Sequence, residues 1–233
     1  MTAWQRITLS ATMLTLMVVA GCHNSNPSYL PLNPGVRSVY RMWGKSRDAQ
    51  KPEVSLDGLT YAATILPPRT LEGRQVIPQM NDVNGHLAFG YMMMQPNGVY
   101  TVARQQLDEM AIETLREPSC VLPLPLLRNL TCDVTLTESA SGAAFHLTGT
   151  ATVEGLEEVV TVPAGTYRHC VKLTSEMSGS ARVEGLRATL EAHTIEWFAP
   201  DVGLVKSIAW VSSTPRWVGW ASRTAELTAF SSG

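Results

Sequence analysis

The sequence predicts an all-β domain, mainly antiparallel, built as a single twisted sheet, half-barrel or sandwich with at most one or two short helices. Three observations carry this expectation. Strand-sized apolar runs recur from residue 36 to residue 230, each closed by Gly, Pro or Asn. Charged residues make up only 16% of the 233-residue chain, against a usual share of about a quarter, which suits buried strands and hydroxyl-rich faces better than surface helices. Period-two alternation is visible in several runs; Tyr167, His169, Val171 and Leu173 would form one largely apolar face.

Taken in order, "VRSVYRMW" (36–43) and "LTYAATIL" (59–66) read as strands, the second stopped by Pro67 and Pro68. "GRQVIPQM" (73–80), "HLAFGYMMM" (86–94) and "GVYTVARQ" (98–105) follow, separated by the turn signals "NDVNG" and "QPNG". Residues 103–117 are ambiguous. Leu107, Met110, Ala111, Thr114 and Leu115 fit a helical stripe, whereas Met110, Ile112 and Thr114 fit a strand. Both readings stand open. Beyond the midpoint come "CDVTLTES", "AFHLTGTATV", "EEVVTV", "YRHCVKLTSE", "LRATLEAHTIEWF", "GLVKSIAWVSS" and "WVGWASRTAELTAF". Two hairpins are expected. One turns at Pro163-Ala164-Gly165, where Gly165 can take a positive φ; the other turns at Pro200, Asp201 and Gly203 and brings Trp197 near Val205.

The N-terminus carries an address. "MTAWQR" holds one positive side chain, residues 7–20 are apolar with a few hydroxyls, and "VVAGC" ends the run at Cys22. This is the layout of a secretory signal, and its apolar core is shorter than the ~20 residues a spanning helix needs. Val19-Ala20-Gly21-Cys22 resembles a bacterial lipobox. That resemblance implies cleavage before Cys22, a lipid on its sulfur and a further acyl chain, a palmitate-type modification, on the new amino group. An ordinary cleaved signal is the competing reading. His23 follows Cys22 in place of the Asp that resembles an inner-membrane retention signal, so the expected location is the outer membrane, facing the periplasm. The resulting division is 1–21 as lipoprotein-type signal peptide, 22–34 as lipidated N-terminus and proline-studded tether, and 35–233 as the β domain.

Composition excludes several functions. Loss of Arg6 with the signal leaves 17 basic against 20 acidic residues, a balance of −3, which argues against nucleic acid as a partner. No G-x-S-x-G, H-E-x-x-H or phosphate-cradling glycine motif occurs. His23, His86, His146, His169 and His193 have no metal-ligand spacing, and neither a metal nor another cofactor is expected. His193 and Glu196 fall on opposite faces of a strand, as do Glu157 and Glu158.

With Cys22 lipidated, three thiols remain for an oxidising compartment. Cys120–Cys132 is the favoured bridge, because "CVLPLPLLRNLTC" must fold back on itself; Cys170 would then be a buried strand thiol. A bridge from Cys170, or no bridge, is the rival.

Two functions compete. The first is a non-catalytic binding or interaction module, held to the membrane by its lipid. It would recognise an apolar ligand or an envelope protein through Trp210, Trp217 and Trp220, with Met92, Met93 and Met94 as further adaptable apolar surface. Core packing is the competing explanation of these side chains. The second is an envelope hydrolase with a site assembled from scattered residues. The segments "VPAGTY" with Cys170, Lys172 and Leu173, "WFAPDVGLVKS", and an opening with Pro31-Leu32, Gly35, Val39 and Tyr40 resemble uncharacterised exported proteins of the TapB-like type. The resemblance implies an antiparallel β domain, distantly akin to the half-barrels that carry lipoproteins through the periplasm. It implies no reaction and no site residues.

Overall fold

The structure, a computed structural model, describes residues 28–48, 52–105, 111–140, 143–183 and 185–233. Cys22 lies outside the described residues, and so does the side chain of Trp217. Fourteen strands follow one another. They are β1 (Arg37–Asp48), β2 (Val54–Ser55), β3 (Leu59–Ile65), β4 (Arg69–Leu71), β5 (Arg74–Val83), β6 (His86–Gln95) and β7 (Gly98–Gln105). They continue as β8 (Glu113–Pro123), β9 (Thr131–Ala140), β10 (Ala143–Val162), β11 (Gly165–Val183), β12 (Leu186–Ala199), β13 (Gly203–Thr214) and β14 (Gly219–Ser231). The only helical turn among the described residues is a 3-10 turn at Arg216–Val218.

All pairings are antiparallel, and the strand order is β8-β7-β6-β5-β3-β1-β14-β13-β12-β11-β10-β9, with β2 on β1 and β4 on β5. The central join is β1 with β14, which ties the first long strand to the last. This order makes β8 and β9 the two outer edges although they are neighbours in the chain. The sheet therefore curls round until its edges meet, forming a nearly closed barrel. No backbone ladder joins β8 to β9 among the described residues. Instead, Cys120 on β8 is bonded to Cys132 on β9. Ser119 Oγ accepts from the Thr135 amide at 2.9 Å. Arg104 on β7 donates to Thr137 Oγ1 at 3.1 Å and to Glu113 Oε2 at 3.0 Å.

Alternation decides what fills the barrel. On β1, Ser38, Tyr40, Met42 and Ser46 are buried while Arg37, Arg41, Lys45 and Arg47 are exposed. The same rule turns Leu190, Ala192, Thr194, Glu196 and Phe198 of β12 inward. The inward side chains of both sheet halves merge into a single large core.

Several expectations change here. Residues 103–105 belong to β7 and 113–117 to β8, residues 111–112 lie between strands, and Leu107 and Met110 fall outside the described residues. His169 does not share a face with Val171 and Leu173: it has φ 57°, sits at an irregularity between β10 and β11, and is exposed while Cys170 and Val171 are both buried. A left-handed residue breaks the period of two, so the alternation read through it loses its phase. Trp197 pairs with Lys206 and Phe198 with Leu204, which leaves Val205 as the extra residue of a bulge.

The long β10–β11 hairpin is regular as far as Val153 and Leu173, then becomes irregular and turns over one end of the barrel. Its tip reaches β14, where the Ala164 amide donates to the Leu227 carbonyl at 3.0 Å. The chain before β1 enters at the same end. Leu30 and Leu32 are buried in the core at 2% and 3% exposure, so residues 28–34 pack as part of the domain.

Candidate functional site

The register of β11, β12, β13, β14 and β1 sets side chains in rows across the outer face. One row runs Trp43, Thr224, Ile208, Ile195 and Thr174. The next runs Lys45, Ser222, Trp210, His193 and Glu176. Trp220 lies between Arg47 and Ser212 on one side of these rows; on the other, Trp197 lies between Lys206 and Lys172. Residues directly opposite in an antiparallel ladder share a face, so four tryptophans and two isoleucines form one continuous outer surface. Trp210 is 39% exposed, and Trp43, Trp197 and Trp220 are half-buried.

Local contacts hold this surface in shape. The His193 ring stacks on Trp210, with centroids 5.1 Å apart and an 11° interplanar angle. Arg41 lies over Trp43 at 5.6 Å. Lys206 and Glu226 pair at 2.8 Å along the neighbouring row. Flat aromatic faces framed by hydroxyls and paired charges can hold an apolar or mixed surface by contact area. The same face carries a His193–Glu176 contact, Nδ1 to Oε1 at 3.8 Å, longer than a hydrogen bond.

A second cluster lies inside the barrel. Tyr40 and Tyr61 stack at 4.6 Å, and Arg223, Glu196, Gln79, Asn81, Thr194 and Ser207 are buried around them. Tyr40 donates to the Leu204 carbonyl at 2.9 Å, and Gln79 Nε2 donates to Asn81 Oδ1 at 2.8 Å. Burial depresses the Arg223 guanidinium to about 10, with Tyr61 and Glu196 opposing that shift. Burial also raises both tyrosines. The Tyr61 hydroxyl and the Arg223 Nε and Nη1 have no hydrogen-bond partner, and the nearest contact of Arg223 is Ser207 Oγ, 3.4 Å from Nη2. These groups are closed off from the surface and shape the interior.

The histidines are scattered. His169 Nδ1 contacts Glu157 on the exposed side of the β10–β11 irregularity. His146 lines a cleft of about 360 Å³ with Glu113, Glu117, Thr135 and Thr137, but Glu113 is engaged by Arg104. Among the described residues, no group of three or more His, Cys, Asp or Glu is placed to hold a metal ion. Cys170 is free and buried; burial lifts its thiol to about 11, aided by Glu158 and opposed by a hydrogen bond from the Val160 backbone. It is therefore a poor nucleophile at neutral pH.

Of the expected site residues, Trp210 and Trp220 share the outer face and Cys120 is joined to Cys132. Met92 is buried, Met93 half-buried and Met94 exposed, so the three methionines do not form one surface. Sequence reading missed Trp43 and Trp197, because only strand register brings them beside Trp210. It missed the interior cluster too, since a lone Arg or Glu in an alternating run does not announce which face is inward.

A family model described as DUF3108-like matches residues 147–210, a stretch running from β10 through most of β13. No match is found among curated proteins. Two solved structures are similar over most of the chain. One is a candidate lipoprotein from Parabacteroides distasonis ATCC 8503, 15% identical with a TM-score of 0.47, the match covering 89% of this chain and all of that one. The other is a candidate exported protein with a YmcC-like fold from Bacteroides fragilis NCTC 9343, 12% identical with a TM-score of 0.39, covering 87% of this chain and 98% of that one.

Proposed function

We propose that this chain is a lipid-anchored cell-envelope protein whose periplasmic β barrel is a non-catalytic binding or interaction module. The observation that carries the binding role is the outer face shared by Trp43, Trp197, Trp210 and Trp220 on adjacent strands. A rigid sheet presents these rings at little further entropic cost, and the fit is to an apolar ligand or an envelope protein. The lipobox ending at Cys22 supports the anchor, and His23 after it supports the outer membrane. The TapB-like resemblance, carried by three short segments across residues 30–207, belongs to the same reading.

The test is recovery of lipids and proteins with the lipidated protein from membranes, identified by mass spectrometry. Replacing Trp210 and Trp220 together by Ala is expected to abolish a recovered partner, with the fold preserved by circular dichroism. His86→Ala and His146→Ala serve as controls; His193 does not, because it stacks on Trp210. If the histidine variants abolish a measurable hydrolytic turnover that the tryptophan variants retain, the hydrolase reading takes over.

A further inference from the structure

The segment from Ser28 to Gly35, the C-terminal Gly233 and several loops converge on one end of the barrel. The Ser28 carbonyl accepts from the Asp201 amide at 2.6 Å, and Asp201 Oδ1 accepts from the Ser28 amide at 2.9 Å. Tyr29 donates to the His169 carbonyl at 2.9 Å. Gly233 packs against Gly35. The β6–β7 turn belongs to this end, since the Leu124 amide donates to the Asn97 carbonyl. So does the β8–β9 loop, whose Asn129 donates to the Val153 carbonyl.

Three of the five large hydrophobic side chains most exposed among the described residues lie at this end, the others being Leu87 at the opposite end and Trp210 on the flank. Among the described residues, the large hydrophobic side chains left most open are Val159 at 56% and Leu127 at 55%. Val159 lies on the outer side of the hairpin that folds over the barrel mouth, between buried Val160 and the outward Glu158. Leu127 stands in the β8–β9 loop, and Met94, 45% exposed, lies near the end of β6. Leu124, Leu126 and Leu130 pack beneath, against the core, so the exposed tips stand on a rigid base. Two acids nearby have basic neighbours: Glu154 pairs with Lys172 at 2.6 Å, and Glu157 contacts His169 Nδ1.

We propose that the barrel end formed by Ser28, Leu127 and Val159 rests on the lipid bilayer that holds Cys22. The proposal builds on the anchored reading above and adds an orientation and a contact surface to it. Five residues separate Cys22 from Ser28, and the six steps between them reach at most about 20 Å when fully extended. Ser28 is pinned to Asp201, so the lipid must emerge from this end and from no other. A tether this short keeps Leu127, Val159 and Met94 at a high effective concentration over the headgroups, where individually weak apolar contacts suffice. The tryptophan face is then on the flank of the barrel, open to the periplasm.

The experiment uses the full lipidated protein in phosphatidylcholine vesicles containing bromine-labelled acyl chains. An environment-sensitive fluorophore is placed on Val159→Cys, Met94→Cys or, at the opposite end of the barrel, Leu87→Cys. Native Cys170 is buried and stays unlabelled in the folded protein. The expected result is quenching at positions 159 and 94 at least about twofold above that at 87, as contact with the headgroup–acyl boundary requires. The pair Leu127→Glu and Val159→Glu should abolish the excess quenching at position 94 while the protein still floats with the vesicles. Flotation with equal quenching at all three sites overturns the orientation and leaves the anchor standing. Failure of the wild-type protein to carry lipid or to float overturns the anchor itself, and with it the proposal.

Discussion

Tyr40 and Tyr61 stack inside the barrel, yet their hydroxyls differ: Tyr40 donates to the Leu204 carbonyl, while the Tyr61 hydroxyl has no partner. Removing a hydrogen-bonded buried hydroxyl costs about 1 kcal/mol, whereas removing an unpartnered one costs little. Tyr40→Phe is therefore expected to destabilise more than Tyr61→Phe in urea unfolding at pH 7. At high pH the order of effects changes. Burial holds both phenols well above their ordinary value of 10.0, so the folded tyrosines keep their protons while the unfolded ones ionise. Stability is unaffected below pH 10 and falls above it, at up to about 1.4 kcal/mol per pH unit for each tyrosine. Arg223 acts in the opposite sense: its proton is held less tightly when folded, so its contribution to stability rises as pH passes above about 10. Comparing wild type with Tyr61→Phe above pH 10 isolates one tyrosine, and the variant should lose stability less steeply. Equal slopes would show that Tyr61 ionises as readily in the folded protein as in the unfolded one.

The strand elements were largely readable from composition and punctuation, because turn residues end nearly every run. What could not be read was how the elements close. A period of two says that side chains alternate, but it does not say that β8 and β9 end up as the two edges of a path of twelve strands and meet when the sheet curls round. Nor does it survive His169, whose left-handed backbone shifts the phase of β11. The outer tryptophan face was half legible: Trp210 and Trp220 stand close in sequence, whereas Trp43 joins them only through β1–β14 register. The β8–β9 edge is correspondingly the weakest join, held by the Cys120–Cys132 bond, the Ser119–Thr135 contact and Arg104. Replacing both cysteines by Ser should destabilise by roughly 3 kcal/mol in the chain-entropy account. Amide exchange should then accelerate first in β8 and β9 and least at the β1–β14 join. Uniform acceleration across the sheet would mean that the bond does not close a separable edge. In the native protein, alkylation is expected to find Cys170 unreactive until unfolding, because it is fully buried with a raised pKa.

At the scale of the whole molecule, the question is where the folded unit begins. Polar, proline-studded residues 23–34 read as tether, since Leu30 and Leu32 are too few to form a periodic signal. In the structure these two leucines are core residues at the end of the barrel covered by the β10–β11 hairpin. Asp201 and His169 hold the segment in place from separate elements. Its backbone also contributes to closure: the Val36 amide donates to Asn33, and Gly35 to the Ile65 carbonyl at 2.9 Å. Burying one leucine side chain is worth about 1.5–3 kcal/mol, so the pair is a large fraction of the 5–15 kcal/mol that holds a typical domain. A chain that starts at Gly35 should therefore unfold at markedly lower temperature than one that starts at Ser28, while a chain that starts at Cys22 without lipid should match the latter. The double variant Leu30→Ser and Leu32→Ser in the longer chain should reproduce most of the loss. If the Gly35 chain melts with the Ser28 chain, the leucines are passengers and the barrel is complete without them. If it does not, the segment from Ser28 onward is part of the folded core, and a lipid carried by Cys22 would be joined to that core through only residues 23–27.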